Sequence, residues 1–94
     1  MNNFVKLKFD KALTYLTGYD FGSQTFEDQV RGKINAEEKF VIEFPEPIID
    51  VGSSFVQGFV SILIKEIGRG GLKKNLQVKA HSPRLEKSII DKID

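Results

Sequence analysis

Apolar and polar positions along the chain change period several times, and each change marks a structural element. Phe4-Val5-Lys6-Leu7-Lys8-Phe9 alternates apolar and basic residues. That period of two predicts a half-buried strand over 4–9, and its lysines suit a sheet edge, where charge discourages stray pairing. Residues 10–22 show no decisive period, and Ala12-Leu13-Thr14-Tyr15-Leu16 fits either a helical turn or the second strand of a hairpin. From Ser23 the pattern turns helical, with Phe26, Val30 and Ile34 spaced four apart. Ser23 or Thr25 is placed to cap the first turn, and Glu27 and Asp28 then fall near the positive end of the helix dipole.

Phe40-Val41-Ile42-Glu43-Phe44 is a strongly apolar run closed by Pro45 and Pro47. It predicts a central strand, ended by prolines that cannot donate to a ladder. Ile48-Ile49-Asp50-Val51-Gly52 leads into Ser53-Ser54, and residues 55–67 carry apolar side chains on nearly every face, as expected of a helix buried on most sides. Ser54 and Gln57 have capping-box spacing, and Gly68 followed by Gly70-Gly71 supplies a C-terminal stop. Leu76-Gln77-Val78-Lys79-Ala80 alternates again as a strand. Ser82-Pro83 then opens a last helix by the rule of a hydroxyl cap followed by proline, with Leu85, Ile89, Ile90 and Ile93 as its apolar stripe. Strands alternating with helices predict an α/β fold, a mixed or mostly parallel sheet packed by about three helices, in a single domain over 1–94.

Composition narrows the function classes. The net charge is +1, and the 14 basic residues run from Lys6 to Lys92 among 13 acids with only Lys73-Lys74 adjacent. No basic stripe with interleaved aromatics emerges, so neither nucleic acid nor a membrane surface is expected as a partner. The chain has no cysteine, which removes disulfides and thiolate chemistry and fits a reducing compartment. Met1-Asn2-Asn3-Phe4-Val5-Lys6 has no apolar leader core and no run approaches the ~18 apolar residues of a membrane span, which together predict a cytoplasmic protein.

Catalytic constellations are hard to assemble from these residues. His81 is the only histidine, with no second imidazole and no ligand-like spacing to Asp50 or Glu86, and reads as a surface residue beside a helix cap. Glu27-Asp28 and Glu37-Glu38 read as solvated helix surfaces or ends. Gly68-Arg69-Gly70-Gly71, with Lys73 nearby, has the composition of a phosphate cradle. Phosphate loops follow a strand and open a helix, however, whereas this one closes a helix and reads as a turn. Ser53 and Ser54 stand out because they follow a strand and loop and begin a buried helix, where a hydroxyl accepts backbone N–H groups and a phosphate would be tolerated. The spacing to Gln57 assigns Ser54 as the cap and leaves Ser53 as the freer hydroxyl. No cofactor and no metal is called for.

Phe40-Val41-Ile42-Glu43-Phe44, Ser53-Ser54-Phe55, Ile67-Gly68, Leu76-Gln77-Val78-Lys79-Ala80 and Ser82-Pro83, in this order and spacing, resemble the bacterial STAS-like domains of unknown function. The resemblance covers about 16–94, after the strand at 4–9. Through that family the chain is similar to the anti-sigma-factor antagonists, in which an Asp-Ser-Ser-Gly stretch at the same helix start carries a serine phosphorylated by a partner kinase. Gly52-Ser53-Ser54-Phe55 occupies that place, with Gly52 for the acid and Phe55 for the glycine. Gln57-Gly58 stands where the family commonly has acids, and Tyr19 where it has an arginine.

The resemblance implies a regulatory adaptor partnered with an ATPase of the histidine-kinase type and switched by serine phosphorylation. Together with the missing catalytic constellation, this predicts a non-enzymatic protein–protein interaction module docking through residues 48–52 and the start of the Ser53 helix. Asp50, Ser53, Ser54, Phe55 and Gln57 are its candidate contacts. The alternative is a structural subunit whose exposed Tyr19, Phe21 and Phe26 form a homodimer or larger complex. A second alternative is a phosphate or nucleotide binder using Arg69, Gly70, Gly71 and Lys73.

Overall fold

Alternation along three short strands sends Val5, Ile42 and Val78 to one face and Lys6, Glu43 and Lys79 to the other, and the helices cover the first face. The computed structural model describes residues 3–93; Met1, Asn2 and Asp94, the ends of the domain assigned over 1–94, lie outside the described residues. In chain order the elements are β1 (Phe4–Lys6), β2 (Tyr15–Leu16), α1 (Tyr19–Gln29), β3 (Phe40–Glu43), β4 (Asp50–Val51), α2 (Ser53–Asn75), β5 (Leu76–Lys79) and α3 (Pro83–Asp91). Among the described residues every strand pairing is parallel. One sheet has the order β1-β3-β5 with Val5 opposite Ile42 and Ile42 opposite Val78, and β2 pairs with β4 in a separate two-stranded sheet. The fold is α/β, with three helices and an all-parallel main sheet whose middle strand is the apolar, proline-terminated run.

Several local expectations hold for local reasons. Ser82 is the N-cap of α3, its Oγ accepting from the Leu85 amide at 3.2 Å, and Pro83 follows in the first turn. Leu85, Ile89 and Ile93 are buried on the stripe that faces the sheet. A gap of about 10 Å³ between the sheet, α2 and α3 is no larger than one water needs, so the core is filled by side chains.

Elsewhere long-range contacts override the local signal. The strand expected over 4–9 ends at Lys6. The Leu7 amide still donates to the Glu43 carbonyl, but the Gln29 side chain takes both the amide and the carbonyl of Lys8, and Phe9 turns inward against Phe21 and Phe55. The unassigned stretch 10–22 contains β2 and the start of α1. That helix begins at Tyr19, four residues before the expected start, and stops at Gln29, so Ile34 lies outside it. Neither Ser23 nor Thr25 caps it: both are interior, and Thr25 Oγ1 donates back to the Phe21 carbonyl. Glu27 and Asp28 therefore sit at the negative end of the helix, where Glu27 pairs with Arg31 at 2.6 Å and Asp28 accepts from Gln24. Gly32, at φ 78°, turns the chain away.

The long helix also differs. Its N-cap is Gly52, and it continues past the expected stop to Asn75, broken at Gly68, whose φ of 74° and ψ of 165° are not helical. The glycine stop is thus a kink. Gly70 and Gly71 belong to the short second arm, whose last turn carries Lys73 and Lys74 at the negative end.

α1 and α2 run side by side at backbone contact. A Cβ on Gly22 would lie 2.1 Å from the Phe55 carbonyl oxygen, and one on Gly58 would lie 2.0 Å from that of Tyr19. Below this crossing six phenylalanines join edge to face, stacked or, for Phe44 on Phe59, tilted: Phe9, Phe21, Phe55, Phe59, Phe26 and Phe44, with neighbouring centroids 5.3–6.4 Å apart. Overpacking a well-filled interior costs about 1–3 kcal/mol, against about 1 kcal/mol gained when alanine replaces glycine in a helix. Gly58→Ala, whose methyl meets a backbone carbonyl that has no rotamer to yield, is expected to lower the urea midpoint. Gly70→Ala, with nothing within 4 Å, is expected to raise it. Equal midpoints for the two variants would show that the crossing is not tight.

Candidate functional site

Because β2 and β4 are parallel neighbours and each runs directly into a helix, the starts of α1 and α2 emerge together at the carboxyl ends of the two strands. That is the side of a parallel sheet where connecting loops build sites. The register sets Tyr15 beside Asp50 and Leu16 beside Val51; the Gly52 amide donates to the Leu16 carbonyl at 2.7 Å. Both N-caps are glycines, Gly18 at φ 103° and Gly52, and neither has a side chain to satisfy the first-turn amides. Two helix starts with aligned dipoles thus sit at one end of the molecule, joined by a hydroxyl: Ser54 Oγ accepts from the Gly18 amide at 2.9 Å.

Ser54 therefore caps the neighbouring helix start rather than its own, which corrects the capping-box expectation. Gln57, its supposed partner, is half-buried and reaches the far end of α3, donating to the carbonyls of Lys92 at 2.6 Å and Ile93 at 3.3 Å. Ser53 is exposed, and its hydroxyl makes no hydrogen bond among the described residues. Asp50 is half-exposed; its Oδ1 accepts from the Val51 amide at 2.9 Å and lies 3.4 Å from Lys92 Nζ, which also donates to the Val51 carbonyl at 2.6 Å.

Three expected contact positions are not surface at all. Phe55 is 0% exposed at the centre of the phenylalanine cluster, and Ile48 and Val51 are buried, so the segment 48–52 offers only Ile49, Asp50 and Gly52. Phe26, offered for a homodimer, is core as well. The exposed apolar residues lie elsewhere: Tyr19 at 51% and Phe21 at 39% in the first turn of α1, and Tyr15 and Ile49, both at 56%, at the amino ends of β2 and β4. Tyr15 escaped the sequence reading because its two-residue strand lay in the stretch without a decisive period, whereas Ile49 fell inside the docking segment 48–52.

The other candidates separate from this end. Arg69 Nη1 donates to the Ile93 carbonyl at 2.6 Å, placing its charge against the last turn of α3, and Gly70 and Gly71 are helical. Gly68-Arg69-Gly70-Gly71 forms no cradle. His81 is exposed in the turn between β5 and α3. Among the described residues no three His, Cys, Asp or Glu side chains gather as a metal site, and no histidine or carboxylate hydrogen-bonds to Ser53 or Ser54 to act as a base. Among the described residues no helix is long and apolar enough to cross a membrane.

Comparison of the chain with protein-family models, curated proteins and solved structures gives no match. The reading of this end of the molecule rests on its geometry.

Removing the Ser54 hydroxyl leaves the Gly18 amide without its acceptor. Ser54→Ala is expected to cost about 1 kcal/mol, the size of a lost cap, and Ser53→Ala close to nothing. Denaturation of both variants, with amide exchange at Gly18 accelerating only in Ser54→Ala, checks this. Exchange unchanged at Gly18 would assign the hydroxyl another role.

Proposed function

We propose that this protein is a non-catalytic, STAS-like regulatory module that binds a protein partner through the paired starts of α1 and α2. The observation that carries the reading is the pairing itself: two helix N-termini with glycine N-caps, joined by Ser54, with the exposed Ser53 hydroxyl beside them and the exposed Tyr19 and Phe21 in the first turn of α1. Exposed aromatics beside exposed main-chain donors supply what a protein interface needs, area for burial and groups that orient the partner. Neither feature needs a cofactor.

The partner class is an ATPase of the histidine-kinase type, on the strength of the resemblance at Ser53-Ser54, and the switch is phosphorylation of Ser53. A phosphate there adds about −1.5 to −2 charges beside two positive helix ends. The fold tolerates the charge, while a partner surface meets a changed field. Ser54, committed to the Gly18 amide, is the poorer acceptor. A second reading, a homodimer through Tyr19 and Phe21, is favoured by the exposure of both rings on α1. Light scattering that gives a concentration-independent monomer removes it and leaves the first intact.

Capture from the native cell is expected to recover a specific partner with the wild-type chain, to lose it with Tyr19→Ala, and to change its affinity with Ser53→Asp while the thermal midpoint stays put. Mass spectrometry is expected to find phosphate on Ser53. No phosphate at either serine, together with unaltered capture by Ser53→Asp, would end the switch. Capture of nothing specific would end the reading that a partner docks at the paired helix starts.

A further inference from the structure

Away from the helix starts, a groove of about 570 Å³ separates the β2-β4 sheet from the first half of α3. Tyr15 and Ile49, the two most exposed large apolar residues among those described, line its sheet side. Leu85, almost fully buried, also lines it, and Arg84 stands on the helical side. At His81 the groove meets a second one of about 600 Å³ that lies over the carboxyl ends of β3 and β5, with Lys79 on its wall. Parallel strands direct ligands to this end.

The charges along this path are unequally committed. Of the acids that line it, Glu43 pairs with Lys6 at 3.9 Å, and Asp50 is held by Lys92 and the Val51 amide, leaving Glu46. Glu86, near the turn, gives a carboxylate oxygen to the Ala80 amide at 2.9 Å. Lys79 and Arg84 are exposed and form no ion pair among the described residues, and the first turn of α3 adds its positive end beside Arg84. An apolar trough therefore runs toward two uncommitted cations.

We infer that this groove binds an extended acidic segment of a partner protein, with an apolar side chain seated between Tyr15, Ile49 and Leu85 and carboxylates reaching Arg84 and Lys79. The inference rests on the interaction reading above in taking a protein as partner, and adds the chemistry of the bound segment at a surface separate from Ser53. A basic segment would set its charges against Arg84 and Lys79, and a purely apolar one would leave both cations without partners while covering them.

The test is a titration of the isotopically labelled full chain with the peptide acetyl-Glu-Leu-Glu-Asp-Leu-Glu-amide, followed by amide shifts, with acetyl-Lys-Leu-Lys-Lys-Leu-Lys-amide as its counterpart. Saturable shifts are expected at residues 15, 49 and 79–88 with the acidic peptide alone. Arg84→Glu and Lys79→Glu should each weaken binding by about fivefold or more, the upper range for one exposed ion pair. Lys65→Glu, the same charge change on the exposed surface of α2, should not. Ile49→Ser should weaken binding without altering its salt dependence, and salt raised to about 0.5 M should weaken it for the wild type. Absence of saturable shifts, equal shifts with the lysine peptide, or shifts centred on residues 53–54 would overturn the inference. If the peptide fails while the cellular partner is still captured, this inference falls alone; if the peptide binds and nothing is captured, the serine-centred reading falls instead.

Discussion

Two glycines facing two carbonyls set the geometry of this molecule. Gly22 and Gly58 let α1 and α2 approach until backbone meets backbone, a distance that any Cβ would prohibit. Helices that start together this closely have like dipole ends side by side, which is unfavourable at their shared N-terminal end. Dispersion along the crossing and the phenylalanine cluster beneath it offset that cost. At the N-terminal end, Ser54 supplies an acceptor to the amide of Gly18, where the excess of donors is greatest. The crossing also brings β2 and β4 within ladder distance, although each has only two residues and neither would hold a partner by itself.

A parallel sheet is ordinarily covered on both faces. Here the second face carries the row Lys6, Glu43 and Lys79, in which the acid stands between two lysines, and beside it a row of half-buried Phe4 and Val41 with exposed Gln77. The charged row lets three parallel strands manage with helices on one side. The edges are closed just as economically. Gln29 takes the main-chain groups of Lys8, and Glu86 takes the amide of Ala80, so β1 and β5 cannot be extended far by a stray strand.

How much of this was legible follows from how far each signal had to reach. Ser82-Pro83, the β3 run with its prolines, and the alternation of β5 are decided within a few residues, and the structure keeps all three. The start of α1 was not, because Gly22 inside a helix weakens the helical signal for the sake of a partner some thirty residues away. Ser54 and Gln57 show the same limit from the other side. Their spacing is right for a capping box, yet each side chain is drawn off by a remote backbone group, Ser54 by Gly18 and Gln57 by Lys92 and Ile93. The hydrogen bonds expected at the start of α2 were therefore the wrong ones, although both serines stand in its first turn. The resemblance at Ser53-Ser54-Phe55 points to Phe55 as a contact, although the residue also opens the apolar run of the buried helix, and the fold turns it fully inward.

The position of that site depends in turn on the end of the chain. Val51 belongs to a strand with a neighbour on one side only, and where another strand would have continued the sheet its amide meets the Asp50 carboxylate and its carbonyl meets the Lys92 ammonium. Lys92 is mostly shielded from water, with its side chain 24% exposed, so its charge requires these partners as much as they require it. The same residue offers its own carbonyl to Gln57 on α2, and Ile93 offers its carbonyl to Arg69 beyond the Gly68 kink. β4, both arms of α2 and the last turn of α3 are consequently tied through two adjacent residues. A chain this short has few strands with which to enclose the strand before α2, and it closes that edge with one lysine, one aspartate and the carbonyl ends of its final helix.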